Sequence, residues 1–237
     1  MSMNIFNNKV IARFADRQKS RHDLKAQSGR SMIEMLGVLA IIGVLSVGGI
    51  AGYSKAIERY RVNETINQIS HIVQNTRNLF RTQPNLYGAL DFDYNKTMSD
   101  TNSPNRQLAD KAKIFPTSLV KNDYKNLFGG IITYYADGRF SDDDGKAFVL
   151  YFAGIPQEAC IELATRDWNS SLGLIVMRVN HHGNNNYPIQ SSYSGNCTTG
   201  YTAQVGRICA NDMPMKLDQA VAVCGSEKDN AISWKFY

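Results

Sequence analysis

The residue whose chemistry most needs an explanation is Glu34. It stands just ahead of an apolar run, residues 35–53, that is 19 residues long. A helix spans a bilayer with roughly 20 apolar residues. A lone ionised carboxylate in hydrocarbon costs on the order of several kcal/mol, so Glu34 has to pair with a cation or become neutral. The alternative is that Glu34 lies at the bilayer boundary, as an acid that the helix dipole favours near an N-terminus.

The four cysteines are the second set of residues with possible chemistry. They all lie in the last third of the chain, at Cys160, Cys197, Cys209 and Cys224. None forms a C-x-x-C pair, which argues against a zinc ribbon or a thioredoxin-like site. An even number of cysteines after a membrane signal favours an oxidising compartment and two disulfides. Four buried free thiols are the alternative.

The remaining candidate sites are weak. His181 and His182 are adjacent, and adjacent residues of a strand point in opposite directions. Asp137 and the run Asp142, Asp143 and Asp144 lack the spacing and the closing glutamate of an EF-hand. No Ser/His/Asp, Cys/His or Gly-rich phosphate motif has a convincing context. We therefore expect neither an enzyme nor a cofactor or metal.

The net charge of +5 is concentrated at the N-terminus. Residues 1–29 contain six Lys or Arg and two Asp, which gives 6 − 2 = +4, and the rest contains 20 basic and 19 acidic residues, which gives +1. A basic segment before an apolar run is a targeting and orientation signal. The rest has no basic stripe of the kind that binds nucleic acid, so we expect no nucleic-acid partner.

The chain after the apolar run predicts an amphipathic helix. The stripe positions recur at spacings of 4, 3, 4, 3 and 4, with one polar member, and are Val62, Ile66, Ile69, Val73, Thr76 and Phe80. We expect one continuous helix from about residue 30 to 82. The expected divisions are a leader at 1–29, a transmembrane helix at 30–53, an amphipathic helix at 54–82 and a globular head at 83–237.

The head predicts an antiparallel sheet with small helices. Strands are expected before and after a turn at Asp137 and Gly138, and at residues 147–155, 172–179 and 230–237. One short helix is expected at 105–112, and another at 215–224 with Gly225 as its stop. A third opens at Pro156. It is expected to carry one apolar face, made of Cys160, Leu163, Ala164 and Trp168. The predicted class is α+β, with the long helix packed on the sheet.

Taken together, these features resemble type IV pilin precursors, and the type IVb class most closely. Such precursors have a basic leader that ends in glycine, then an apolar helix with glutamate as its fifth mature residue. In "SGRSMIEMLGVLAIIG", Gly29 ends the leader, Arg30 is first and Glu34 is fifth. The leader is long, as in type IVb precursors. The segments "NLFGG", "GIPQEAC" and "NAISWKFY" are similar to the C-terminal region of that class and occur in the same order.

The resemblance implies a processing site and a role for Glu34. A prepilin peptidase would cut after Gly29 and expose an α-amine on Arg30, which is positive at pH 7. The amine of the same or an adjacent subunit could neutralise Glu34. In the family the adjacent subunit's amine is thought to do so and to set the axial stagger. The first mature residue of the family is usually hydrophobic and is N-methylated, so Arg30 departs from the pattern.

The resemblance also implies disulfides and a pilin fold. Cys160 would pair with Cys224, and Cys197 with Cys209. Calcium binding at the loop of Asp142, Asp143 and Asp144 stays open, because some pilin-like proteins bind calcium in a C-terminal loop.

The expected function is that of a pilus subunit. The precursor would cross the inner membrane once with its head in the periplasm, be cleaved, and polymerise with other copies into an extracellular pilus with the help of the inner-membrane assembly machinery. The pilus would serve adhesion, aggregation or conjugative contact. A minor pilin or a type II secretion pseudopilin shares the same N-terminus. A signal-anchored periplasmic binding domain that keeps its leader is an alternative of another class.

Overall fold

The computed structural model describes residues 4–82, 90, 91, 96–136, 147–181, 206–226 and 228–236, with the backbone alone for 4–31 and 181. The helices are α1 (Asn4–Phe80), α2 (Pro104–Ala112), α3 (Thr117–Lys121), α4 (Gln157–Ala164), α5 (Trp168–Leu172) and α6 (Leu217–Val223), with a 3-10 turn at Ala210–Asp212. The strands are β1 (Ile132–Ala136), β2 (Phe148–Ile155), β3 (Leu174–His181), β4 (Arg207–Cys209) and β5 (Asn230–Phe236). The chain divides into two compact units, Met1–Ala56 and Ile57–Tyr237.

Helix α1 is longer than the sequence predicts. It begins at Asn4, well ahead of residue 30, and ends at Phe80. No proline or glycine occurs between residues 4 and 28, so nothing in that segment interrupts the helical hydrogen bonds. Residues 4–29 of the expected leader therefore belong to α1, and the helix is not interrupted at Gly29.

The five strands form one antiparallel sheet in the order β1-β2-β5-β3-β4. Strand β5 lies in the middle, where Trp234 is opposite Leu150 of β2 on one side and Met177 of β3 on the other. All seven residues of β5 are buried. The last strand in chain order therefore joins the two halves of the sheet.

The C-terminal part of α1 packs its apolar stripe into the head. Of the six stripe positions, five are buried and Phe80 packs at the edge of the same core. Thr76, the polar member, donates its hydroxyl to the carbonyl of Ile72 at 2.7 Å and lies 3.0 Å from the hydroxyl of Tyr134 in β1. The α+β class, with a long helix packed on an antiparallel sheet, is confirmed.

The helix that was expected to open at Pro156 is divided in two. Pro156 has an extended backbone and precedes α4, which ends at Ala164. Asp167 then begins α5, because its side chain accepts hydrogen bonds from the amides of Asn169 and Ser170. Trp168 therefore does not share a helix with Cys160, although both side chains are buried.

Two other boundaries differ from the prediction. Strand β3 begins at Leu174 and not at residue 172, because Leu172 ends α5 and Gly173 follows it with φ of 59°. Gly225 is not the stop of α6, since Cys224 leaves the helix in an extended conformation. The side chain of Asn230 instead holds the amide and carbonyl of Gly225, at 2.6 and 3.0 Å.

Two elements have no counterpart in the sequence predictions. They are helix α3 and the three-residue strand β4. The turn at Asp137 and Gly138 and the strand expected after it lie outside the described residues.

The segment "NLFGG", which precedes β1, is hydrogen-bonded to β2. The side-chain amide of Asn126 donates to the carbonyl of Ala153 at 2.7 Å, and its oxygen accepts from the amides of Phe128 and Gly130 at 2.9 and 3.0 Å. A Cβ atom at Gly130 would lie 1.8 Å from the oxygen of Ala153. Glycine is required there because the two backbones approach too closely for any side chain.

We predict that Asn126→Ala lowers the free energy of unfolding of the head by about 2–3 kcal/mol, because it leaves buried backbone groups without partners. Asn122→Ala is the matched control, since its side chain makes one exposed bond to the carbonyl of Lys125. The control should change stability by less than about 0.5 kcal/mol. Urea unfolding of both variants measures the difference, and equal losses would contradict the anchoring role of Asn126.

Candidate functional site

The N-terminal unit presents a large apolar surface. Every side chain described between residues 32 and 56 is exposed. The large apolar ones range from 51% exposure at Val38 to 75% at Val44. Monomeric soluble proteins rarely expose a continuous apolar surface of this size. Among the described residues, one helix is long and apolar enough to cross a membrane, and it is the part of α1 at Met32–Phe80.

Glu34 lies on this surface. Its side chain is exposed, and the neighbouring side chains Ile33 and Met35 are exposed as well. Gly29 and Arg30, the expected processing residues, lie in the same helix α1. The three residues are therefore brought together by sequence and helical geometry, and Glu34 falls one turn after Arg30.

The glycines of the apolar segment lie in open space with respect to the described part of the chain. A Cβ atom added at any of them would meet no described atom within 4 Å, and they are Gly37, Gly43, Gly48, Gly49 and Gly52. Small residues on a membrane helix let another helix approach closely. The space beside these glycines is thus available to another molecule.

The C-terminal part of α1 is attached to the head by polar contacts that sequence analysis did not find. Arg77 donates to the carbonyl of Leu172 at 2.6 Å, and Asn75 donates to the carbonyl of Ile114 at 3.0 Å. Burial lowers the pKa of the Arg77 guanidinium. The acceptors are backbone carbonyls far along the chain, and no local pattern identifies such partners.

A disulfide joins two helical segments of the head. Cys160 in α4 bonds to Cys224 after α6, with their Cα atoms 5.9 Å apart and a sequence separation of 64. Gln157 adds a hydrogen bond to the carbonyl of Cys224 at 3.1 Å. Cys209 is disulfide-bonded too, and Cys197, its expected partner, lies outside the described residues.

The described parts of the chain contain no cluster of three or more His, Cys, Asp or Glu side chains that could hold a metal. His181 lies in β3, where its backbone alone is described. His182 and the loop of Asp142, Asp143 and Asp144 lie outside the described residues. The discounted sites therefore stay predictions.

Carboxylates meet where α1 enters the head. Desolvation of Glu58, followed by the charge of Glu158 and a hydrogen bond to it, raises the pKa of Glu58. Arg61 opposes this shift and Glu162 adds to it. Because the pKa of Glu58 in the folded C-terminal unit, Ile57–Tyr237, exceeds that in the unfolded chain, stability falls as pH rises through the interval between the two values. Ionised Glu58 is thus unfavourable in the folded C-terminal unit.

We predict that Glu58→Gln raises the melting temperature of the C-terminal unit, Ile57–Tyr237, at pH 7 and changes it little near pH 3, which is well below the ordinary pKa of a glutamate. Glu64→Gln, on the same helix, is the control for replacing a carboxyl by an amide. Thermal unfolding between pH 3 and pH 7 measures the difference. A gain from Glu58→Gln that is equal at pH 3 and pH 7 would contradict the charge penalty that burial and Glu158 impose on Glu58.

Comparison with known proteins agrees with the features described above. A family model described as "PilS N terminal" matches residues 59–235, which is more than half of the chain. No curated protein matches this sequence.

The solved structures that are similar to this chain include two type IV pilins. One is the crystal structure of TcpA, a type IV pilin from Vibrio cholerae El Tor biotype, with 14% identity, a TM-score of 0.49 and coverage of 75% of this chain and 99% of that one. The other is a type IV b pilin from Salmonella typhi, with 12% identity, a TM-score of 0.39 and coverage of 70% of this chain and 94% of that one.

Proposed function

Because this chain belongs to the PilS family and is a type IVb pilin-like protein, we propose that it is a pilus subunit that is cut after Gly29 and then polymerises. The observation that carries the proposal is the apolar surface of α1 between residues 32 and 53, exposed on every side. The described hydrophobic core contains no side chain from this segment. The surface is therefore built to be covered by something other than its own chain.

Two environments can cover such a surface in turn. The bilayer covers it in the precursor, where the segment is long enough to span the hydrocarbon once. In the filament, the same segments of neighbouring copies cover one another, and the glycines of the apolar segment allow the helices to approach closely. The inner-membrane assembly machinery would move each subunit from the first environment to the second.

Processing and assembly are linked through Glu34. A prepilin peptidase that cuts between Gly29 and Arg30 leaves an α-amine four residues from Glu34, and a free amine is positive at neutral pH. The carboxylate then has a cation within one helical turn, or on the adjacent subunit. Removal of the leader thereby lowers the cost of keeping Glu34 in an apolar setting.

The head suits exposure outside the cytoplasm. The basic residues of 1–29 favour a cytoplasmic leader, which directs residues 54–237 to the periplasm and later to the pilus surface. Disulfides persist in oxidising compartments, and the head has one between Cys160 and Cys224. A surface of disulfide-bonded heads would carry the adhesive, aggregating or conjugative contacts of the pilus.

The first test is the intact mass of the protein in sheared surface filaments. We expect the chain to begin at Arg30, with or without a methyl group on its amine, and to be a main component of the filaments. Protein that stays in the membrane fraction with Met1 still attached would refute the proposal and favour a signal-anchored binding domain. A cleaved protein present only in trace amounts would indicate a minor pilin or pseudopilin.

The second test removes the carboxylate. We predict that Glu34→Ala leaves the near-ultraviolet circular dichroism of the head unchanged but lowers filament yield at least about tenfold, the change that 1.4 kcal/mol produces. Glu64→Ala, outside the apolar run, is the control and should assemble normally. Normal filament yield from Glu34→Ala would contradict a pairing role for Glu34.

A further inference from the structure

The exposed side of the C-terminal part of α1 has no acidic, lysine or arginine side chain. Between residues 62 and 80 the exposed side chains are Leu79 and five others that each carry an amide or an imidazole. These five are called the amide face, and they are Asn63, Asn67, His71, Gln74 and Asn78. Their spacings of 4, 4, 3 and 4 place them along one side of the helix. The charged residues of this stretch, Glu64 and Arg77, are half-buried.

The composition of the amide face is unusual for a helix surface in water. A surface helix normally turns charged side chains to the solvent, and charged residues make up 20% of this chain. Asparagine occupies three of the five positions, although it is a poor helix former because its side chain competes for backbone hydrogen bonds. Glutamate or lysine would serve both helix stability and solubility better. The composition therefore points to a contact rather than to solvation.

Amide side chains are complementary to themselves. Each carries two N–H donors and a carbonyl acceptor, and a neutral imidazole has one donor and one acceptor. A second copy of the same face can thus supply partners for every amide, without the repulsion that like charges would cause. An amide also costs less to remove from water than an ion does. The chemistry fits a second copy of this chain better than an acidic or a basic partner.

The amide face is too small to hold two molecules together by itself. A helical segment from residue 63 to residue 78 is roughly 20 Å long and about 10 Å wide. Its area of about 200 Å² is far below the roughly 800 Å² per partner of a stable complex. The contact therefore needs a second interface to hold the copies together, and polymerisation through the apolar segment would supply it.

We propose that the amide face of α1 contacts the amide faces of neighbouring copies in the filament through hydrogen bonds between side chains. The inference rests on the proposed function, because the contact forms only between copies that are already joined through the apolar segment. Hydrogen bonds require donors and acceptors to meet at defined distances and angles, whereas apolar burial is non-directional. The amide face therefore constrains how the C-terminal parts of neighbouring α1 helices align.

The first experiment places a charge within the amide face. Asn67→Glu and Asn67→Lys should each lower the yield of sheared filaments at least about tenfold, because like charges of neighbouring copies would meet. Co-expression of the two variants should bring the yield back to within about threefold of the wild type, because opposite charges then meet. Asn211→Glu, at an exposed asparagine of the 3-10 turn, is the matched control and should stay within about twofold.

Alanine substitutions separate a contact from a structural role. The triple variant Asn63→Ala/Asn67→Ala/Asn78→Ala replaces three poor helix formers with the best one. The melting temperature of the C-terminal unit should therefore not fall. Filament yield should fall at least about tenfold, because hydrogen bonds between copies are lost. A triple variant that assembles as well as the wild type would overturn the inference.

The outcomes distinguish this inference from the proposed function. Wild-type filaments that begin at Arg30, together with normal filaments from both charge variants, would refute the contact and leave the proposed function standing. Absence of wild-type filaments would refute both. Lost assembly of each charge variant with unchanged near-ultraviolet circular dichroism of the head would support the contact. If the co-expressed variants still failed to assemble, pairing of one amide face with another would be refuted.

Discussion

The fold of the head depends on the burial of one stripe of α1 against one face of the sheet. Ile69 and Val73 are fully buried there, and the aromatic rings of the core belong to strands that lie far apart in sequence. A sheet with an uncovered apolar face is not stable in water, and neither is an isolated amphipathic helix. The helix and the sheet thus cover each other's apolar surface. The disulfide between Cys160 and Cys224 links α4 to the end of α6.

Periodicity made the helix and most of the strands predictable. The 4-3-4-3-4 spacing that ends at Phe80 identified the buried face of α1, and β-prone runs identified β2, β3 and β5 within about two residues. Thr76 could not be interpreted from the sequence, since its partner Tyr134 is 58 residues away. The break before Trp168 did have a local signal, because Asp167 is a favoured residue at the start of a helix.

Part of the candidate site could likewise be predicted from the sequence, and part could not. The apolar run and Glu34 could be predicted because membranes impose length and charge constraints on a local stretch of sequence. The contacts of Arg77 and Asn75, and the carboxylates around Glu58, depend on how α1 lies on the head. Each of these contacts joins a residue of α1 to a backbone atom or a like charge that is distant in sequence. Neither kind of contact produces a periodic pattern in the sequence.

The central position of β5 has a consequence for how the protein is made. Among the described strands, residues 230–236 leave the ribosome last, yet they separate β2 from β3 in the sheet. Until they arrive, those two strands have no partner on their facing edges, and exposed edges invite wrong pairing. A chain stopped early by damage to its message would keep its apolar helix but lack a finished head. The fold therefore makes completion of the sheet depend on translation through β5.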